Sequence, residues 1–156
     1  MAHPMDLTRT AATTAAVTRF HVAYAELPMI GERMGRAFGT VAAALEKASI
    51  RSDGPALAYY EPGADGFDVA AGFRVEADLA APPGVERLDL PEVEAAHLTH
   101  LGAYRDLPAA YDELRTQVEQ AGRTLADGPM WEEYWTGPET PEDQHRTEIY
   151  WPLSPA

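Results

Sequence analysis

An internal repeat constrains this chain more than any other feature. Asp53-Gly54-Pro55 returns as Asp127-Gly128-Pro129, and at the same offset Tyr60 falls on Tyr134. Ala37-Phe38 matches Ala110-Tyr111, and Phe73-Arg74-Val75 matches Trp151-Pro152-Leu153. The period lies in the mid-seventies, so the 156 residues hold two copies. Two copies do not make a solenoid; they predict one domain with internal pseudo-two-fold symmetry. The length agrees, because it supports one domain with a real core and is short for two.

Hydrophobic spacing supplies the elements of each copy. Val17 to Glu26 alternates loosely and is rich in aromatics, which predicts a strand. Pro28 follows, and then Met29, Ile30, Met34, Phe38, Val41, Ala42 and Leu45 recur every three or four residues. That is one stripe of an amphipathic helix ending near Ser49. Gly31, Gly35 and Gly39 form a second stripe on it, which predicts close approach of another backbone, that of a sheet. After Asp53-Gly54-Pro55, residues 56–61 and 67–76 read as a hairpin around a Pro-Gly loop. Ala80 to Gly84 reads as a linker. The order then restarts: a strand over 93–101, a helix over 107–125, a strand over 130–136, a polar loop over 137–144 and a strand over 146–153. The expected fold is therefore α+β, with two strand-helix-strand-strand modules. Each is a small antiparallel sheet carrying one helix, and two such halves side by side can share a central groove. Module one spans 17–79 and module two 85–153, within one domain of 17–156. Residues 1–16, rich in Ala and Thr, read as a flexible N-terminal arm without the pattern of a signal peptide.

Composition excludes several functions. There are 25 acidic and 12 basic residues, a net charge of −13. Residues 52–156 hold 21 of the acids. A protein that displaces counterions from nucleic acid, or docks on anionic lipid, needs the opposite sign. Read alone, the acidity describes a solvated surface. The absence of Cys removes thiol nucleophiles, disulfides and Cys-ligated metals, and suits a reducing cytoplasm. No stretch approaches the length of a transmembrane helix. Nucleophilic Ser, phosphate-loop and dinucleotide motifs are lacking. His97 and His100 have the spacing of a metal pair on a helix, but a strand splits them onto two faces, so no metal and no cofactor is expected.

The residues with chemical potential lie near the end of the chain. In the strand Met130-Trp131-Glu132-Glu133-Tyr134, alternation puts Glu132 and Tyr134 on one face and Trp131, Glu133 and Trp135 on the other. A carboxylate among aromatic rings suits a delocalised cation. The same carboxylate, in a dry site, suits a general base. Trp131, Trp135, Trp151, Tyr134 and Tyr150 crowd within 21 residues. Such density commonly packs a core, but adjacent strands carry it on both faces. Tyr60, Phe73, Tyr134 and Trp151 are the expected binding aromatics, with Tyr150 in reserve. His97 falls on Tyr24 by the repeat and is a further candidate. Glu148 has Arg146 two residues away on its own face and reads as a local ion pair.

The words Gly102-Ala103-Tyr104, Ala110-Tyr111-Asp112-Glu113-Leu114, Trp131-Glu132-Glu133-Tyr134 and Arg146-Thr147-Glu148-Ile149-Tyr150-Trp151-Pro152-Leu153 resemble, in order and spacing, the GyrI-like small-molecule-binding family. Tyr59-Tyr60-Glu61 and Asp68 to Phe73 fit the first half of that pattern, so the resemblance covers roughly residues 17–153. The family includes effector domains of bacterial AraC-type and MerR-type multidrug regulators. The resemblance implies two modules around a groove and recognition of hydrophobic, often cationic, drug-like compounds by aromatics and a buried Glu. It places Glu132 and Tyr134 on the groove face. The residues before the first strand are too few for a helix-turn-helix, which makes direct DNA control by this chain unexpected. Stand-alone members are implied to sequester or sense compounds, to hydrolyse cyclopropane-bearing antibiotics, here with Glu132 as base, or to inhibit gyrase as a protein partner.

Overall fold

The computed structural model describes residues 4–52, 54–137 and 139–155. Residues 1–3 of the expected arm, Asp53 of the first Asp-Gly-Pro turn, Pro138 of the 137–144 loop and Ala156 lie outside the described residues. Among the described residues no helix is long and apolar enough to cross a membrane.

Among the described residues, eight strands and two α-helices follow one another in an α+β order. The strands are β1 Asp6–Arg9, β2 Thr13–Ala23, β3 Ala56–Pro62, β4 Gly66–Val75, β5 Glu86–Leu90, β6 Glu94–Leu101, β7 Met130–Tyr134 and β8 Arg146–Pro152. The helices are α1 Ile30–Lys47 and α2 Leu107–Gln120. The chain forms two compact units. The first is Ala11–Glu92; the second combines the residues up to Thr10 with those from Val93 onward.

In the first unit the strands lie in the order β3-β4-β2-β5, and in the second β7-β8-β6-β1, all antiparallel. The two orders correspond strand for strand. Each unit thus has four strands rather than the expected three. The extra strand in each case is a leading arm that joins the other copy. β1 precedes the first repeat but pairs with β6, Asp6 facing His97 and Arg9 facing Glu94. β5 precedes the second repeat but pairs with β2, Thr13 facing Leu90 and Val17 facing Glu86. This corrects one expectation: part of the flexible arm is strand, β1 and the first residues of β2. The linker over 80–84 carries neither helix nor strand and leads into β5, a strand the sequence reading did not place. Four- and five-residue strands carry too little alternation to be seen locally, and their ladder partners lie some eighty residues away in sequence.

The helices keep the centre of each expected stripe, but Met29 lies before α1 and is exposed, as is Ala42. On α1, Met34, Ala37, Val41 and Leu45 are buried. On α2, Ala110, Leu114 and Val118 are buried at steps of four. Pro108 suits the first turn of α2, where its missing N–H costs nothing. Gly122, at φ 73°, terminates α2, with the Arg123 N–H bonded back to the Val118 carbonyl. A left-handed residue of this kind closes a helix, so α2 stops five residues before the expected Leu125. The glycine stripe of α1 does not meet a sheet. Gly31, Gly35 and Gly39 are exposed, and a Cβ at any of them would meet nothing within 4 Å. They lie off the buried stripe.

In the second unit α2 packs on one sheet face. Ala96 and Leu98 of β6, Ile149 of β8 and Leu153 join Ala110, Leu114 and Val118. Leu98, Leu114 and Ile149 are fully buried, and each such side chain contributes about 1.5–3 kcal/mol. In the first unit Ala16, Val41, Leu45 and Val75 form the matching core, with Phe73 against it.

Candidate functional site

The register of β7 decides which of its faces meets α2. Glu132 lies opposite Ile149, and Tyr134 opposite Thr147. Ile149 belongs to the core under α2, so Glu132 and Tyr134 face the helix. From α2, Tyr111 reaches down and its hydroxyl donates to Glu132 Oε2 at 2.6 Å. The Tyr134 hydroxyl donates to Glu132 Oε1 at 2.5 Å. Each carboxylate oxygen thus holds one phenol, in the short range of charge-assisted bonds. Glu132 is only 5% exposed. Both donors are phenol hydroxyls, one from α2 and one from β7 itself.

Tyr104 completes the group. It opens the short helical turn before α2 and remains 43% exposed. Its ring meets Tyr134 edge-on at 5.8 Å and stacks on His145 at 4.8 Å. Burial pushes its phenol above the usual range, and the Glu132 charge adds to this against a bond with Thr136. Trp151 flanks the group from β8. Its ring is 6.1 Å from that of Tyr111, and its Nε1–H donates to the Ala126 carbonyl. The Arg115 guanidinium, one turn after Tyr111, lies 5.1 Å over the Trp151 ring.

The expected residues therefore separate. Glu132, Tyr134 and Trp151 come together under α2. Tyr150 and His97 turn to the opposite face, where they stack on each other at 4.9 Å and Trp131 stacks on Tyr150 at 6.0 Å. The strand period explains this, since odd and even positions of β6 and β8 part at the sheet. Tyr60 and Phe73 belong to the first unit and share its helix-facing side. Phe73 packs against Phe38 of α1, and Tyr60 meets Phe67 edge-on. Phe73 also borders a shallow depression of about 490 Å³ at the end of α1, where Ala42, Leu45 and Ile50 line it. That depression lacks the phenol-carboxylate chemistry.

The opposite face of the second unit holds a charged network. Glu148, 3% exposed, accepts from His97 Nε2 at 2.5 Å, Thr99 Oγ1 at 2.7 Å and Arg146 Nε at 2.6 Å. Burial pushes its carboxyl up, but the three donors outweigh that and hold it at about 2. His97 also bonds Asp6 of β1 through Nδ1 at 2.6 Å. His100 lies on the other face from His97, with Nε2–H donating to the Ala103 carbonyl. Among the described residues no group of three His, Asp or Glu is arranged to hold a metal ion.

Sequence reasoning passed over Tyr104 and Tyr111 as site residues. Tyr111 sits on the apolar stripe of α2 and reads as core. Its signal was the hydroxyl, which a core position does not need.

Comparison with known proteins identifies the family and the fold. The sequence profile of the GyrI-like small molecule binding domain matches residues 3–154. No curated protein sequence matches the chain. Among solved structures, the C-terminal domain of EcmrR superposes with a TM-score of 0.69 at 19% identity, covering 100% of this chain and 99% of that one. SAV2435 bound to tetraphenylphosphonium gives 0.70 at 17% identity, covering 97% and 94%. A hydrolase from Listeria innocua gives 0.66 at 12% identity, covering 97% and 92%.

Proposed function

Because the chain belongs to the GyrI-like small-molecule-binding family, we propose that it binds an aromatic, positively charged compound against Glu132 and its tyrosines. The observation that carries this reading is the buried carboxylate with one phenol on each oxygen. Tyr104, Tyr111 and Tyr134 supply aromatic surface, and each ring face adds about 0.5–2 kcal/mol to a cation. Glu132 supplies the charge, and Trp151 extends the apolar wall. The neighbour bound to tetraphenylphosphonium makes that lipophilic cation the first probe. Sequestration or sensing follows from binding alone and needs no reaction.

Titration with tetraphenylphosphonium, followed by Trp fluorescence, tests this. Saturable binding is expected, weakened about tenfold or more in Glu132→Gln, since tenfold corresponds to about 1.4 kcal/mol. Unchanged affinity in Glu132→Gln and Tyr134→Phe overturns the site.

A second reading uses the same atoms. A carboxylate 2.5 Å from a phenol is also an acid–base pair, able to activate water against an electrophilic ring. Ring-opened product beyond stoichiometric amounts, detected by mass spectrometry after incubation with a cyclopropane-bearing alkylator, selects it over binding alone.

A further inference from the structure

Two buried polar atoms beside the tyrosine group have no hydrogen-bond partner among the described residues: His145 Nδ1 and Thr147 Oγ1. His145 is 9% exposed and Thr147 fully buried. Folded proteins leave few such atoms, and those that persist call for an explanation.

Their position supplies one. Thr147 lies directly across the β7–β8 ladder from Tyr134, on the face turned to α2, which brings the two Cβ atoms to about 4.5–5.5 Å. His145 precedes it by two residues in extended backbone, so both side chains share that face. The His145 ring stacks on Tyr104, and Tyr104 meets Tyr134 edge-on. The unmet atoms therefore flank two of the rings that surround Glu132. Tyr104 is the exposed ring of the group.

The chemistry of the two atoms is determined by their neighbours. His145 Nε2 faces the Thr140 carbonyl at 2.9 Å. A carbonyl only accepts, so the proton of the neutral ring sits on Nε2 and Nδ1 is left as an acceptor. The Thr147 hydroxyl also accepts, and it can donate. Both atoms suit a ligand donor group.

We propose that His145 Nδ1 and Thr147 Oγ1 form a hydrogen-bonding subsite for an N–H or O–H group of the compound whose positive charge faces Glu132. This rests on the binding reading above and sharpens it. The favoured ligand class is a polycyclic aromatic cation bearing amino or hydroxyl substituents. A cation with only hydrocarbon around its charge fills the aromatic part of the site and leaves both atoms unmet.

Ethidium and its analogue lacking both ring amines make a matched pair, with tetraphenylphosphonium as the donor-free control. Affinities are measured by calorimetry for the wild type, Thr147→Val, Thr147→Ser and His145→Phe. The wild type is expected to bind ethidium about tenfold more tightly than the deaminated analogue. Thr147→Val and His145→Phe close that gap, Thr147→Ser retains it, and tetraphenylphosphonium affinity stays constant across Thr147→Val and Thr147→Ser. Thr147→Val keeps the shape of the side chain and removes an unmet hydroxyl, so its melting temperature is expected to equal or exceed that of the wild type. Equal wild-type affinity for the matched pair, or a gap unchanged in Thr147→Val and His145→Phe, overturns the subsite while tetraphenylphosphonium still binds. If none of the three cations binds, the function reading itself falls, and the subsite with it.

Discussion

Tyr111 and Arg115 show how much one helix turn decides. They are four residues apart on α2 and so lie on one face. Tyr111 bonds Glu132, and Arg115 covers the Trp151 ring at 5.1 Å. The protein's own guanidinium thus occupies an aromatic face adjoining the carboxylate. A cation–π contact at a partly exposed site contributes about 0.5–1 kcal/mol, which an incoming cation must displace. Arg115→Ala is therefore expected to tighten tetraphenylphosphonium binding severalfold by calorimetry. Weaker binding in that variant means that Arg115 serves to hold Trp151 in place. Of these residues, Glu132 and Tyr134 were legible in the sequence because two positions apart in a strand is a fixed geometric relation. Tyr111 was not, since its partner is 21 residues away on another element.

At the scale of elements, β1 is held by more than its ladder. His97 of β6 bonds Asp6 of β1 with one ring nitrogen and Glu148 of β8 with the other. The bond to Glu148 raises the His97 pKa most, burial opposes it, and Asp6 adds to it. A histidine raised above its ordinary 6.5 contributes fully below 6.5 and loses that contribution as pH rises through its folded value. Glu148 is lowered from 4.5 to about 2, so its contribution is present above 4.5 and lost as pH falls toward 2. The link is strongest between about 4.5 and 6.5. Amide exchange of β1 is expected to speed up as pH is raised above that window, beyond the intrinsic pH trend, and His97→Gln should abolish the excess. A second prediction concerns β4. A Cβ on Gly72 would come within 1.8 Å of the Ala16 carbonyl oxygen of β2. Overpacking of a core typically costs about 1–3 kcal/mol, so Gly72→Ala is expected to lower the unfolding free energy by that amount in a urea titration. Long elements were legible from their period. β1 and β5 were not, because a short strand becomes one only through its partner.

For the whole molecule, the net charge of −13 and the buried glutamates are separate matters. Glu132, Glu133 and Glu148 are each under 10% exposed, and strand pairing rather than charge selects them. Glu148 is neutralised by His97 and Arg146; Glu132 is held by phenols. The remaining acids act at long range, where salt screens them over about 10 Å at 0.1 M. Stopped-flow measurement of tetraphenylphosphonium binding should show an association rate that falls as salt rises, with a dissociation rate set by close contacts and nearly constant. A dissociation rate that rises equally with salt would place the bound cation on the exposed surface instead.

The sequence by itself determined the duplicated element order, the amphipathic faces of both helices and the shared face of Glu132 and Tyr134. All three follow from periods of two or 3.6 residues, which are local properties of the backbone. Tertiary structure alone decided which face of β7 lies under α2, that Tyr111 reaches Glu132 and Tyr104 packs on Tyr134, and that His97 and Tyr150 turn away from it. It also decided that each leading arm joins the other repeat. Alternation states that two side chains share a face; only the register against neighbouring strands and the packing of a helix say what that face meets.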